Sequence, residues 1–227
     1  MQEPPIFFDV MLHLGTLLAV VVYFWKDILE ILHGIRTTLG GKGKDQQGAT
    51  FFLWIIVATI PTGLIGFIFK DWFETLFSKP KLVGVMLLVT GLVLWLTRFT
   101  KKEGRPIGKM GWIDSILIGM AQGMAIIPGI SRSGATISTG LFCGLDRGLS
   151  AKFSFLLSVP AILGATLLEF RKIGSVQELG TILIGAFVAF GVGILSLTFL
   201  LKINKIGKIS YFSYYCWIIG IAIIIIM

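Results

Sequence analysis

Six apolar stretches, near 7–25, 51–70, 82–98, 152–168, 179–201 and 211–227, divide the chain. Each is about 17 to 25 residues long, the length an α-helix needs to cross the hydrocarbon core of a bilayer. Of the 227 residues, 55% are apolar and only 14% are charged. Soluble domains carry about 25% charged residues, and a water-soluble globule of this length needs more polar surface than the sequence offers. Disorder is excluded by the same figures, because it requires low hydrophobicity. The expected fold class is an all-α polytopic membrane protein, forming a single integral-membrane domain over residues 1–227. No signal peptide is expected at its start.

The net charge is +8, but its placement argues against nucleic acid as a partner. The basic residues fall in the gaps between apolar runs, where they favour the cytoplasmic face and anionic head groups. No basic stripe interleaved with aromatics runs along a polar helix, as a nucleic-acid binder requires. Membrane lipids are the expected surroundings. Trp25, Trp54, Trp72, Trp95, Trp112 and Trp217 lie within a few residues of predicted span ends, where indoles prefer to sit. Gly40-Gly41-Lys42-Gly43-Lys44-Asp45 predicts a flexible loop. Cys143 and Cys216 have no metal-ligand spacing and are expected as buried small hydrophobes. Gly185, Gly191 and Gly193 suit close helix packing, within one chain or in an oligomer.

The stretch 111–146 differs from the six. It is apolar through Ile116, Leu117, Ile118 and Met120, breaks at Pro128-Gly129, and turns apolar again at Leu141 and Phe142. It crosses the membrane once or dips in and returns as a broken hairpin. With a hairpin, the loops on one side hold fourteen Lys and Arg and those on the other hold five. With a single crossing the split is eleven to eight. The positive-inside bias favours the hairpin.

The break itself, Pro128-Gly129-Ile130-Ser131-Arg132-Ser133-Gly134-Ala135-Thr136, has the features of an anion cradle. Pro-Gly ends one helical segment, and Ser131 or Ser133 can cap the next. A helix that starts there points unpaired N–H groups and its positive dipole end into the gap. Arg132 adds a planar fork suited to phosphate oxygens. Ser131, Ser133 and Thr136 supply hydroxyl donors, and Gly129 and Gly134 let the backbone approach closely. A plainer reading has Arg132 snorkelling to an interface and the serines bonding back to their own helix. An ionisable group at membrane depth is costly and marks function more often than not, so residue chemistry favours a phosphate-bearing ligand.

PGISRSGATIS, with the preceding QGMAIIPG and the following FSFLLSVPAILGAT from Phe153 to Thr166, resembles bacterial undecaprenyl-diphosphate phosphatase of the bacitracin-resistance type. FFDVMLHLGTLLAVVVYFW, from Phe7 to Trp25, and IPTGLIGFIF, from Ile60 to Phe69, extend the resemblance to essentially the whole chain. The resemblance implies an inverted-repeat bundle with two re-entrant hairpins in the bacterial plasma membrane. It implies removal of one phosphate from a polyprenyl diphosphate lipid, which recycles the carrier for cell-wall synthesis and confers bacitracin resistance. It also implies an outward-facing site that uses a divalent cation, Mg or Ca. Ser131, Arg132, Ser133 and Thr136 match the family's catalytic and phosphate-binding positions, and Gln122 falls where relatives also have an amide. Phe153, Phe155 and Leu156 are candidate contacts of the lipid tail.

Family members begin with a further segment bearing an EGxTEFLPxSSTGH motif, and no such motif occurs here. The chain opens at Met1-Gln2-Glu3-Pro4-Pro5, so it is expected to be N-terminally truncated, lacking the first hairpin and the metal ligands. Local substitutes are few. His13 is expected as a polar residue on a helix face and His33 as a solvated one, and Glu3 as frayed. Glu169 and Asp146 are expected to mark interfaces, and Asp114 is a minor candidate to orient an arginine. No pair has metal-ligand spacing. The alternative function is a carrier of a polyprenyl phosphate or another anion without hydrolysis, since transporters also build anion sites from broken helices.

Overall fold

Hydrocarbon length sets the architecture. A computed structural model of the chain describes residues 6–40, 46–101, 103–170 and 179–227. Glu3, the predicted loop residues Gly41–Asp45 and the side chain of Glu169 lie outside the described part. In chain order the described residues form helices α1 (Ile6–Tyr23), α2 (Trp25–Leu39), α3 (Gln46–Ile68), α4 (Lys70–Phe77) and α5 (Pro80–Leu96). They continue with α6 (Trp112–Met124), α7 (Arg132–Phe142), α8 (Arg147–Phe170), α9 (Leu179–Lys205) and α10 (Phe212–Ile226). Among the described residues there is no strand, only an isolated bridge between Arg105 and Leu145. The protein is an all-α polytopic membrane protein.

Five stretches are long and apolar enough to cross a membrane: Gln47–Ile68, Pro80–Phe99, Arg147–Leu167, Gly180–Lys205 and Ile209–Ile226. They coincide with five of the six predicted spans. The sixth is α1, an 18-residue helix whose Val10–Tyr23 part is apolar but shorter. On α9, Ile184, Phe187 and Leu195 are exposed; such a face is stable only against hydrocarbon.

Two segments expected as loops are helical instead. α2 fills most of 26–50 and α4 most of 70–81. Each is amphipathic, with its apolar residues on a stripe of period 3.6 and not in a run. α2 buries Ile31 and Gly34, and α4 buries Phe73 and Leu76. Lys152 on α8 ties α2 to the bundle through Asp27, 2.5 Å away, and lies 5.4 Å from the Phe51 ring centroid.

Close pairings order the spans: α1 against α9, α3 against α6, and α5 against α10. A Cβ at Gly119 of α6 would collide with the Ala58 carbonyl of α3, and the Thr62 hydroxyl donates across this contact to the Gly119 carbonyl at 2.8 Å. Gly185 and Gly193 abut Phe8 and Ala19 of α1, whereas Gly191 faces open space. Trp217 is a packing residue as well as an interfacial one: its indole lies over Gly91 and donates to the Leu88 carbonyl at 3.2 Å. Phe153, Phe155 and Leu156, expected along a tail groove, are buried in the central core. Phe153 packs edge-on to Phe51 and Phe155 stacks on Phe24. The first half of α8 is interior, so its apolar residues there meet protein, whereas Leu163 and Leu167 further along are exposed.

α6 and α7 form the broken hairpin. With 13 and 11 residues, their lengths are about 20 Å and 16 Å at 1.5 Å per residue, less than the ~30 Å hydrocarbon core. Their outer ends meet at Arg105. Its Nη2 donates to Asp114 Oδ1 at 2.8 Å, near the start of α6, and to the Cys143 carbonyl at 2.5 Å, at the end of α7. Nη1 donates to the Lys109 carbonyl at 2.8 Å. Asp114 Oδ2 accepts the Gly111 N–H at 2.8 Å and so caps α6. Asp114 thus does orient an arginine, and Asp146 caps α8 by accepting the Leu149 N–H at 3.1 Å. Entry and exit lie side by side among the more basic loops. Burial first, and the Asp114 carboxylate second, push the Cys143 thiol up from its ordinary value. Asp114→Asn is expected to open this clamp and to speed alkylation of Cys143 by a maleimide, located by mass spectrometry. An unchanged rate would contradict a closed base held by Asp114.

Candidate functional site

The hairpin turns over at Ala125–Ser131, about 20 Å of helix from its base. Gly129 makes the turn possible. Its φ is +94°, a conformation L side chains rarely adopt. A Cβ there would strike the Val83 carbonyl of α5 and stand 2.9 Å from Met86 Cβ. The backbone of the break therefore lies directly on α5, where Thr90 satisfies it twice. The Thr90 hydroxyl donates to the Gly129 carbonyl at 3.0 Å and accepts the Ser131 N–H at 3.2 Å. On the outer side, Ile127 packs with Phe73 and Leu76 of α4. Broken backbone at membrane depth is tolerated only when protein satisfies it in this way.

Ser131 caps α7: its backbone is extended (φ −68°, ψ 115°) and its Oγ accepts the Gly134 N–H at 3.1 Å. The next hydrogen bond of the helix runs from Ala135 N–H to the Ser131 carbonyl at 2.8 Å. Among the described residues the amides of Arg132 and Ser133 have no partner, and neither does the Ser133 hydroxyl. These are the orphan donors of a helix N-terminus, at its positive dipole end. Gly134 is buried, and a Cβ on it would stand 3.0 Å from Ser131 Oγ.

Arg132 is half-buried. Its Nη1 lies 3.4 Å from the Ser154 carbonyl of α8, a long hydrogen bond, and among the described residues the rest of the fork has no partner. Among the described residues the ion pairs are Lys70–Glu74, Arg105–Asp114, and Lys152 with Asp27 and Glu30. None involves Arg132. Thr136 is fully enclosed; its hydroxyl bonds the Arg132 carbonyl at 2.9 Å and the Ser154 hydroxyl at 2.5 Å. Gln122 on α6 is buried, donates to the Leu157 carbonyl of α8 at 3.3 Å, and leaves its Oε1 without a partner among the described residues.

The structure thus gathers Gly129, Ser131, Arg132, Ser133, Gly134 and Thr136 at one helix start. Two contributors, Thr90 and Ser154, were not apparent from the sequence. Ser154 had a signal: Ser150, Ser154 and Ser158 recur every four residues on α8, and all three are buried. Thr90 had none beyond being one hydroxyl in an apolar run. His13 and His33 are exposed on α1 and α2.

A guanidinium, hydroxyls and amide N–H groups form a donor set for an anion. They do not fit a divalent cation, which takes oxygen ligands and favours carboxylates. Among the described residues no group of three or more His, Cys, Asp or Glu is placed to hold a metal ion.

An all-α membrane protein with a set of donors suited to an anion at the tip of a broken hairpin is the class that fold and site define. A family model described as bacitracin resistance protein BacA matches residues 1–222, and the chain belongs to that family. Curated relatives named undecaprenyl-diphosphatase are similar along most of their length. The one from Desulfatibacillum aliphaticivorans is 40% identical over 99% of this chain and 86% of its own. That from Desulfosudis oleivorans is 44% identical over 96% and 83%. That from Methanothermobacter thermautotrophicus is 49% identical over 75% of this chain and 97% of its own.

Gly129→Ala is expected to lower stability by on the order of 2 kcal/mol or more, from backbone strain and the clash with α5. Thr90→Val, which keeps the shape and strands two backbone groups, is expected to cost on the order of 2 kcal/mol. Thermal unfolding in detergent measures both; wild-type midpoints for the pair would contradict the described seat of the break.

Proposed function

We propose that the protein hydrolyses undecaprenyl diphosphate to undecaprenyl phosphate and inorganic phosphate, the activity that its relatives' name states. The observation that carries the reading is Arg132: a guanidinium within the hydrocarbon thickness, without a carboxylate partner among the described residues, beside two unengaged helix amides. A charge so placed is costly, and a lipid-linked phosphate is the ligand that offsets the cost at that depth.

In the reaction, water adds across the anhydride P–O–P linkage, and the terminal phosphoryl group leaves the lipid. Phosphoryl transfer is catalysed largely by positioning and by stabilising charge on the phosphoryl oxygens. Arg132 grips two of these oxygens with its fork. The amides of Arg132 and Ser133 point at the same group and move nothing to do so. The Ser131 hydroxyl, whose oxygen accepts the Gly134 N–H, still has a proton to donate outward, and the Ser133 hydroxyl donates beside it. Gly129 lets the turn lie against α5, and Gly134 lets the first turn of α7 close on Ser131. Thr136 acts through position, holding the Arg132 backbone against Ser154.

The base of the hairpin lies among the loops richest in Lys and Arg, so positive-inside bias places it at the cytoplasmic face. The cradle then opens towards the outer leaflet of the bacterial plasma membrane, where a spent diphosphate carrier is recycled for cell-wall synthesis. Resistance to bacitracin is the further role that the family's description names.

Arg132→Ala is expected to reduce phosphate release from purified polyprenyl diphosphate at least about a hundredfold, the scale of losing one transition-state donor. Arg132→Lys should recover only part, because an ammonium lacks the planar fork. Near-normal turnover of a folded Arg132→Ala protein would overturn the assignment. Binding of the lipid without phosphate release by the wild-type protein would favour the carrier reading instead.

A further inference from the structure

On the opposite face from the cradle, a cavity of about 310 Å³ opens between the end of α5 and the turn joining α9 to α10. Its lining includes Trp95, Arg98, Gly207, Lys208, Ser210 and Tyr211. Arg98 and Lys208 both face it, and among the described residues no acidic one lines it. Neither cation belongs to an ion pair among the described residues. Both instead lie over aromatic rings: the Arg98 guanidinium is 5.2 Å from the Trp95 centroid, and the Lys208 ammonium is 5.9 Å from that of Tyr211. Such contacts hold a cation in place without neutralising it. A third cation stands behind the turn. Gly207 has φ +77°, and a Cβ on it would lie 3.3 Å from the Arg147 guanidinium carbon. Arg147 Nη1 is enclosed there with no hydrogen-bond partner among the described residues.

We infer that this cavity binds the phosphate of an anionic membrane phospholipid, as a site separate from the catalytic one. The charge arrangement demands an anion. The position selects a lipid over a soluble ion, because Trp95 and Tyr211 lie at span ends, at head-group level. An apolar track also leads away from the cavity into the membrane. Tyr214, Ile218, Ile221 and Ile225 follow each other at helical spacing on α10, and all are exposed. A head group in the cavity would therefore place its acyl chain along α10. The volume suits a head group. Its basic surroundings suit the anionic lipids of the cytoplasmic leaflet.

The test is native mass spectrometry of the purified chain in neutral detergent, titrated with phosphatidylglycerol and, separately, with phosphatidylcholine. Phosphatidylglycerol is expected to be retained over phosphatidylcholine, and Arg98→Gln with Lys208→Gln is expected to weaken its retention at least about tenfold. Lys202→Gln with Lys205→Gln removes the same charge from the same face outside the cavity and is expected to leave retention unchanged. Should the first double variant unfold, Lys208→Gln alone, at an exposed residue, carries the comparison. Equal retention of the two lipids, or equal losses in the two double variants, would overturn the site. Displacement of the lipid by millimolar inorganic phosphate would make the ligand a soluble anion and overturn the lipid assignment.

Discussion

A guanidinium and a run of unpaired backbone amides within hydrocarbon are unstable unless protein surrounds them on most sides. Arg132 and the start of α7 impose that constraint, and the elements around them answer it. α5 supplies Thr90 to the broken backbone on one flank. α8 supplies Ser154 to Arg132 and Thr136 on another. α4 folds Phe73 and Leu76 over the turn. What stays unsatisfied among the described residues is a small set of donors at one helix start, and an anion is the natural complement of that set.

The hairpin keeps its shape because it is anchored at both ends by different means. At the base, one arginine binds the beginning of α6 and the end of α7 together, so the two arms cannot part. At the tip, a glycine with positive φ lies so close to α5 that no side chain fits between. Between them, Gly119 brings α6 into backbone contact with α3. The arms are too short to cross the membrane, and this shortness is what places a helix N-terminus inside it. A full-length span would carry its N-terminal amides out to water, where they would offer a phosphate far less.

Five spans and the broken hairpin were legible from the chain, because each rests on a contiguous property: the length of an apolar run, or a Pro-Gly break followed by Ser-Arg-Ser. α2 and α4 were not, since an interfacial helix carries its apolar residues on a stripe that a search for spans passes over. The motif named Arg132 and Ser131 directly, whereas Thr90 lies 41 residues before Ser131 in sequence and reaches it only through the packing of α5. Phe153 and Phe155 show the converse difficulty. An apolar run is the same string whether it faces lipid or protein, and only the interior position of the first half of α8 decides that these rings join the core. Trp217 likewise fits an interfacial anchor by sequence, yet it also fills the slot left by Gly91.

The proposed function requires a lipid-borne phosphate to dock against Arg132, and a structure with a methylene-bridged, non-hydrolysable polyprenyl diphosphonate tests that most directly. The expected result is a terminal phosphonate within hydrogen-bonding distance of the Arg132 guanidinium and of the Arg132 and Ser133 amides, with the isoprenoid tail leaving into the membrane. A diphosphonate bound elsewhere, with Arg132 still turned towards the Ser154 carbonyl, would contradict it.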